Sequence, residues 1–391
     1  MKNSGLILLL AFVIFGSCNN ATSPDEIGDR FAFINFTLID GTGSAPVSDA
    51  ALVVENGRIT AVGSVGSTPI PASLPIIDLS GAYVLPGFFN AHIHSGFNRT
   101  NLEAWARGGV TTVRDLCGPT LFVWRDSVRE NPACARLVAA GPMISVPNGY
   151  PYVPWGASCM LPVYSVDDAR QKTAQLLAEG ADIIKISMES GESFGMEIPS
   201  LSHDEASAIV EVAHEHGTLV SAHVLVSYDL GRALEAGADD MAHMITDFLP
   251  DSTVDQMITD TIYWVPTLEL WQKVGYGTVD AAIINLRKFV QAGGEVALGT
   301  DYDGYDAVFQ IGMPLDEMNL MRRSGMSEMD IIVAGTKNAA RVCNLEDEIG
   351  TLEIGKIADI LVVNSNPLED INNLADILMV IHDGVVIRDE R

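Results

Sequence analysis

Positive charge is what the chain has least of: 23 Lys and Arg stand against 51 Asp and Glu, a formal charge of -28 over 391 residues. A field of that sign repels polyanions, so the basic footing that nucleic-acid binding needs is absent. The acidic residues are spread along the chain instead of gathered in a tail, so they read as a solvated surface and say little about a substrate. Cysteine is scarce as well. None of the five, Cys18, Cys117, Cys134, Cys159 and Cys343, is spaced C-x-x-C, which speaks against a zinc knuckle or a dithiol redox motif. The longest targeting-type apolar run, Leu6 to Phe15, is too short to span a bilayer comfortably. Neither an internal repeat nor a low-complexity segment is present.

Residues 1–23 read as a signal segment. Lys2 gives a positive start, the apolar run follows, and Gly16-Ser17 places small residues before Cys18. This resembles a bacterial lipoprotein signal, with Cys18 as the lipid-anchored first residue and Asn19 to Pro24 as a polar tether. Phe15 departs from the usual aliphatic residue three before the cysteine, which keeps ordinary signal-peptide cleavage as the alternative. Either way the expected location is the periplasm or cell envelope. Disulfides form there, although sequence alone cannot pair the remaining four cysteines.

At 48% hydrophobic, the chain can build a large core. A (β/α)8 barrel takes about 250 residues, which leaves room for one small companion domain. Short strands with turns begin at Phe31: 31–39, 51–55, a tight turn at Asn56-Gly57, then 58–62. After Pro86-Gly87 apolar strands alternate with amphipathic helices, as a parallel barrel requires. Eight candidates are 88–93, 110–114, 137–140, 183–187, 219–223, 240–244, 263–267 and 296–300. Helical stretches include 166–179, 204–216, 228–236, 253–260, 279–292, 314–323 and 328–340, several closed by glycine. Strands return after Gly350, at 360–363, 378–382 and 385–387. The expected fold is therefore α/β: a TIM barrel over 87–348 inserted into a discontinuous β-sandwich built from 24–86 and 349–391.

His92 and His94 stand at i and i+2 on an apolar strand, where alternation puts both imidazoles on one side, able to grip a metal. His214 and His216 share that spacing within a helical pattern, where i and i+2 do not face each other, and read as surface residues. His203 and His382 look incidental. Lys185, one of only seven lysines, lies inside the apolar strand Ile183 to Ser187. A charged ammonium would repel metal ions, so a ligand role there requires a neutral amine that captures carbon dioxide. The carbamate so formed can bridge two metals. The bland reading is a strand-end lysine that snorkels to solvent. His223 closes its strand, His243 lies in the next, and Asp301 follows Gly299-Thr300 at the rim of the eighth. Alone, each histidine reads as a core residue. All six positions can converge on one barrel mouth, where TIM-barrel active sites sit.

Val84-Leu85-Pro86-Gly87, His92-Ile93-His94, Lys185 in Asp-Ile-Ile-Lys-Ile-Ser, His223 and His243 around Ala-Leu-Glu-Ala-Gly, and Gly299-Thr300-Asp301 together resemble the amidohydrolase superfamily. The resemblance covers essentially the whole mature chain. The twenty-residue step from His223 to His243, with the motif from Gly350 to Asp359, is similar to the imidazolonepropionase-like and prolidase-like branch. The resemblance implies two divalent metal ions, zinc by default. His92 and His94 would hold the buried one and His223 and His243 the exposed one. An N6-carboxylated Lys185 would bridge them, and Asp301 would act as ligand and proton shuttle. It implies hydrolysis of a small molecule by a water held between the metals, with an amide, an N-acyl amino acid or a dipeptide as the best-fitting substrate. Prolidase-like dipeptidases usually carry Gly-Gly-His after the third strand, where this chain has Pro147-Asn148-Gly149-Tyr150-Pro151. Tyr150 or Tyr228 is the candidate to polarise the substrate carbonyl instead. Tyr152, Trp155, Trp271, Tyr276, Tyr302 and Tyr305 also fall on post-strand loops and suggest a partly aromatic or apolar substrate. The rival readings are a lactonase-like or phosphotriesterase-like ester hydrolase and a non-catalytic binding protein. A homo-oligomer stays open.

Overall fold

The structure, a computed structural model, describes residues 28–274, 278–303 and 309–391. The signal segment with Cys18, and the loop residues Tyr276 and Tyr305, lie outside the described residues. Asn56 and Gly57 both take positive φ, 56° and 74°, the combination a two-residue hairpin requires. They join Val47–Glu55 to Arg58–Ser64 in an antiparallel pair.

That hairpin forms one edge of an eight-stranded sheet drawn from both chain ends. Its order from the other edge is Val385–Asp389, Ile377–His382, Ile360–Val363, Tyr83–Pro86, Arg30–Leu38, Val47–Glu55 and Arg58–Ser64, with Ile76–Asp78 beside Arg30–Leu38. Ile360–Val363 pairs with Tyr83–Pro86, so the two ends are interleaved by backbone hydrogen bonds. Phe31, Phe33, Leu52, Val84, Ile360 and Met379 share its apolar core. Arg136, at the start of the third barrel strand, ties this sheet to the barrel by pairing with Asp359 at 2.7 Å and with Asp383. His382 Nδ1 joins the same seam by donating to the Pro132 carbonyl at 2.8 Å.

The barrel runs through Phe88–Ile93, Val110–Asp115 and Arg136–Ala139 in parallel. The third strand breaks at Gly141 and resumes as Met143–Ser145. Ile184–Ser187, Val220–His223, Asp240–Ala242 and Tyr263–Val265 follow in parallel register. The expected eighth strand is extended but not a regular ladder. It makes one parallel bridge, Trp264 to Val296, and closes the ring through Ala91 N donating to Leu298 O at 2.8 Å. At Gly299 it comes so near the first strand that an added Cβ would lie 2.9 Å from His92 Cβ. There the Asn90 side chain replaces ladder bonds, donating to Thr300 Oγ1 at 2.8 Å and accepting from Thr300 N at 3.1 Å.

Local chemistry sets the helix ends. Ser202 and Glu205 form a capping box for His203–Glu215, and Gly180 at φ 112° ends Val166–Glu179. The stretch 328–340, expected as one helix, is two: Glu328–Gly335 and Lys337–Val342, broken at Thr336 (φ -128°, ψ -90°). The break lets Gly335 seat against Phe88, whose ring would be 2.6 Å from a Cβ there. Inside the barrel the fully buried Arg114 pairs with Asp240 at 2.8 Å and donates to Val342 O at 2.8 Å. With its partners satisfied, this pair serves as a floor beneath the strand ends.

Candidate active site

The C-terminal ends of the strands bring the candidate ligands together. His92 lies in the first strand and His94 just past it, yet the Nε2 of each is 3.0 Å from the same atom, Asp301 Oδ1. The His92 ring is 4.7 Å from that of His243, which is 4.6 Å from that of His223. Donor atoms of His92, His243 and Asp301 all lie within 4.8 Å of one another. His243 and Asp301 take φ of 74° and 61°, a left-handed conformation unusual for such residues. Backbone bonds hold both there: His243 N donates to Val265 O and Asp301 N to His92 O, each at 2.9 Å. Strain held in this way typically costs about 1–3 kcal/mol per residue and clusters at functional sites.

Lys185 is 0% exposed, which rules out the snorkelling conformation. Its Nζ has no hydrogen-bond partner, and the same holds for His223 Nε2. Burial lowers the Lys185 ammonium to about 7, with Asp240 opposing that shift and Arg114 adding to it. Burial also holds His92 down at about 3 and His223 and His243 well below the ordinary histidine value. For Asp301 burial acts upward, but His92 and His243 outweigh it and keep the carboxyl well below its usual range. His94 is raised, because its bond and charge contact with Asp301 outweigh its burial. Neutral imidazoles, a carboxylate and an easily neutralised amine, several with unfilled donor atoms, are a set that fits divalent ions taking nitrogen and oxygen ligands.

His94, His223, His243 and Asp301 line a cavity of about 420 Å³ whose wall also includes Tyr150, Trp155, Phe194 and Trp271, while His92 and Lys185 lie behind it. Tyr150 stacks on His223, with ring centroids 4.1 Å apart and planes at 20°. Burial raises its phenol above the ordinary value, helped by Asp301 and Glu189. Tyr228 is placed elsewhere. It begins the helix Ser227–Ala236, is 59% exposed, lies outside the cavity wall, and has the Arg232 guanidinium 5.6 Å from its ring centroid. Tyr302 is also off the wall, edge-on to Trp105 at 5.4 Å.

Three features of the site escaped the sequence reading. Thr267 Oγ1 lies 2.9 Å from His243 Nδ1 and fixes that ring, leaving Nε2 for the cluster. Cys117 and Cys159 form a disulfide in the cavity wall. Glu189, two residues past the fourth strand, is buried with Oε2 3.8 Å from His223 Nε2. Burial pushes its carboxyl up to about 7, and Asp229 adds to the rise. A carboxylate following Lys-Ile-Ser-Met had no periodicity to mark it.

A barrel with buried histidine and carboxylate donors at its C-terminal mouth is the architecture of metal-dependent hydrolases. The chain belongs to the Amidohydrolase family, whose sequence profile matches residues 83–387. Over 405 aligned residues it is 24% identical to an ochratoxinase of Aspergillus niger, covering 85% of this chain and 81% of that protein. An imidazolonepropionase of Symbiobacterium thermophilum is 24% identical over 378 residues, covering 82% and 85%. A crystal structure of a Xaa-Pro dipeptidase with bound methionine superposes with a TM-score of 0.78 at 25% identity, covering 91% of this chain and 99% of that one. The protein is an enzyme, a hydrolase of the amidohydrolase type.

Proposed function

We propose that the protein hydrolyses the carbon–nitrogen bond of an amide in a small, partly apolar molecule: a cyclic or acyclic amide, an N-acyl amino acid or a dipeptide. The relatives named above as hydrolases of this kind support the bond type. The aromatic cavity wall supports the apolar part. The observation that carries the reading is Lys185, wholly buried with an unpartnered amine among four histidines and Asp301. His92, His94 and Asp301 would hold one divalent ion, His223 and His243 the second, and a carboxylated Lys185 both, with zinc the default metal. Bound there, the ions supply Lewis acidity and a nucleophilic water at neutral pH.

The protein's own groups do the rest. Asp301, held as a carboxylate, takes a proton at Oδ1 and returns it to the leaving nitrogen. The Tyr150 phenol, raised and therefore protonated, donates toward the substrate carbonyl. Trp155, Phe194 and Trp271 exclude water and bind the apolar group. Export to an oxidising compartment belongs to the same proposal and is supported by the Cys117–Cys159 disulfide.

Screening amide, lactone and phosphotriester panels beside metal analysis tests the reading. Amides should give the highest kcat/KM. Turnover confined to lactones or phosphotriesters would replace the proposal with the ester-hydrolase reading. Purified protein without metal or turnover would favour a binding role.

A further inference from the structure

Glu189 is completely buried, and its two carboxylate oxygens have different surroundings. Oε1 accepts from Gly191 N at 2.7 Å and from Ser193 Oγ at 2.9 Å. Oε2 has no hydrogen-bond partner and points toward His223 Nε2, 3.8 Å away, which has none either. Two buried polar atoms facing each other unsatisfied are costly, and 3.8 Å is too long for them to satisfy one another directly.

No lysine or arginine among the described residues lies within ion-pair distance of Glu189. Arg232, which donates to the neighbouring Met188 carbonyl at 3.3 Å, is committed: it lies 3.3 Å from Asp229 Oδ1 and donates to Ser200 Oγ at 3.0 Å and to the Leu201 carbonyl. Asp229 Oδ2 in turn accepts from Ser190 N and Oγ at 3.0 and 2.9 Å. A carboxylate so enclosed needs either a proton or a cation. Tyr150 stacks on the same His223 ring, with centroids 4.1 Å apart, and packs it in the orientation that leaves Nε2 facing Glu189.

We infer that Glu189 supplies a further carboxylate ligand to the divalent ion held by His223 and His243. The inference rests on the two-metal reading above. It adds a seventh protein group to the six expected from sequence and gives the second ion an anionic partner that it does not share with the first.

The test uses metal-free full-length protein titrated with Zn2+ and with Co2+ against a chelator of known affinity, for wild type and Glu189→Gln. Glutamine copies the shape of a protonated glutamate and can still accept at the Oε1 position. Wild type should take two equivalents. Glu189→Gln should keep the first and lose about 10- to 100-fold or more in affinity for the second, with a changed visible spectrum of bound Co2+. If the glutamine protein is misfolded by circular dichroism, Glu189→Asp, which keeps the charge but withdraws the oxygen, should show the same loss. Two equivalents of unchanged affinity in the variant would overturn the assignment and leave Glu189 a protonated structural acid. A wild type that takes only one equivalent would overturn the two-metal reading and this assignment together.

Discussion

Asp301 Oδ1 lies 3.0 Å from His92 Nε2, across the junction where the last barrel strand meets the first. Asp301 N also donates to His92 O, so backbone and side chain lock the same two residues together. Asp301→Asn keeps the shape but removes the basic carboxylate. We expect kcat to fall by about 10²-fold or more, the scale of lost general acid–base help. Metal analysis of the same preparation divides the roles: retained metal points to proton transfer, and lost metal to ligation. An unchanged kcat would remove Asp301 from the mechanism.

Tyr150 and Tyr228 separate cleanly. Tyr150→Phe preserves the stack on His223 and deletes only the hydroxyl, so kcat should drop by about 10²-fold if that hydroxyl polarises the carbonyl. Tyr228→Phe should leave both kcat and KM unchanged, because the ring faces solvent and Arg232. A change in KM alone for Tyr150→Phe would mean that the hydroxyl binds the substrate without stabilising the transition state.

The Cys117–Cys159 bond closes a loop with a sequence separation of 42 and forms part of the cavity wall. Replacing both cysteines by alanine should lower stability by about 2–4 kcal/mol, read from denaturant midpoints. Reductant should shift the wild type the same way and leave the double variant unmoved, since Cys134 and Cys343 are unpaired. Equal midpoints for the two proteins would show that the bond does not form in solution.

Reconstitution of the metal-free protein should depend on pH through Lys185. Carbon dioxide reacts with the neutral amine, whose population grows as pH rises through about 7. Metal uptake should therefore speed up from pH 6 to pH 8 and respond to added bicarbonate. Asp301 holds His94 above the ordinary histidine value, and bicarbonate does not act on that group, so a bicarbonate response belongs to Lys185. The same shift has a stability sign. The unfolded lysine, at about 10.4, binds a proton that the folded one releases above about 7. Metal-free protein should thus gain stability as pH rises between those values. Uptake insensitive to bicarbonate at every pH would exclude the carbamate.

Much of this site is legible in the sequence because strand geometry is simple. A period of two predicts that His92 and His94 share a face, and an apolar strand around Lys185 predicts its burial. His214 and His216 follow the same logic in reverse, since their helix leaves His214 at the surface against Asp239 at 2.9 Å. What the pattern does not carry is direction after a strand ends. Tyr228 and Tyr150 both follow strands, yet one begins a helix that turns its ring outward and the other stacks over the site. The pairing of Cys117 with Cys159 depends on how two loops cross the mouth, which no local spacing encodes. Glu189 sits in a loop, where its contacts with Gly191, Ser193 and His223 follow no strand or helix period.

Lys185 joins the two halves of the proposed centre, and its substitution is the most direct test. Lys185→Ala and wild type should be compared for bound metal per chain and for turnover in the same preparations. The account predicts two metal ions and full activity in wild type. It predicts little metal and almost no turnover in a variant that stays folded, because the four histidines still pack. Two metal ions and full activity in both proteins would contradict it.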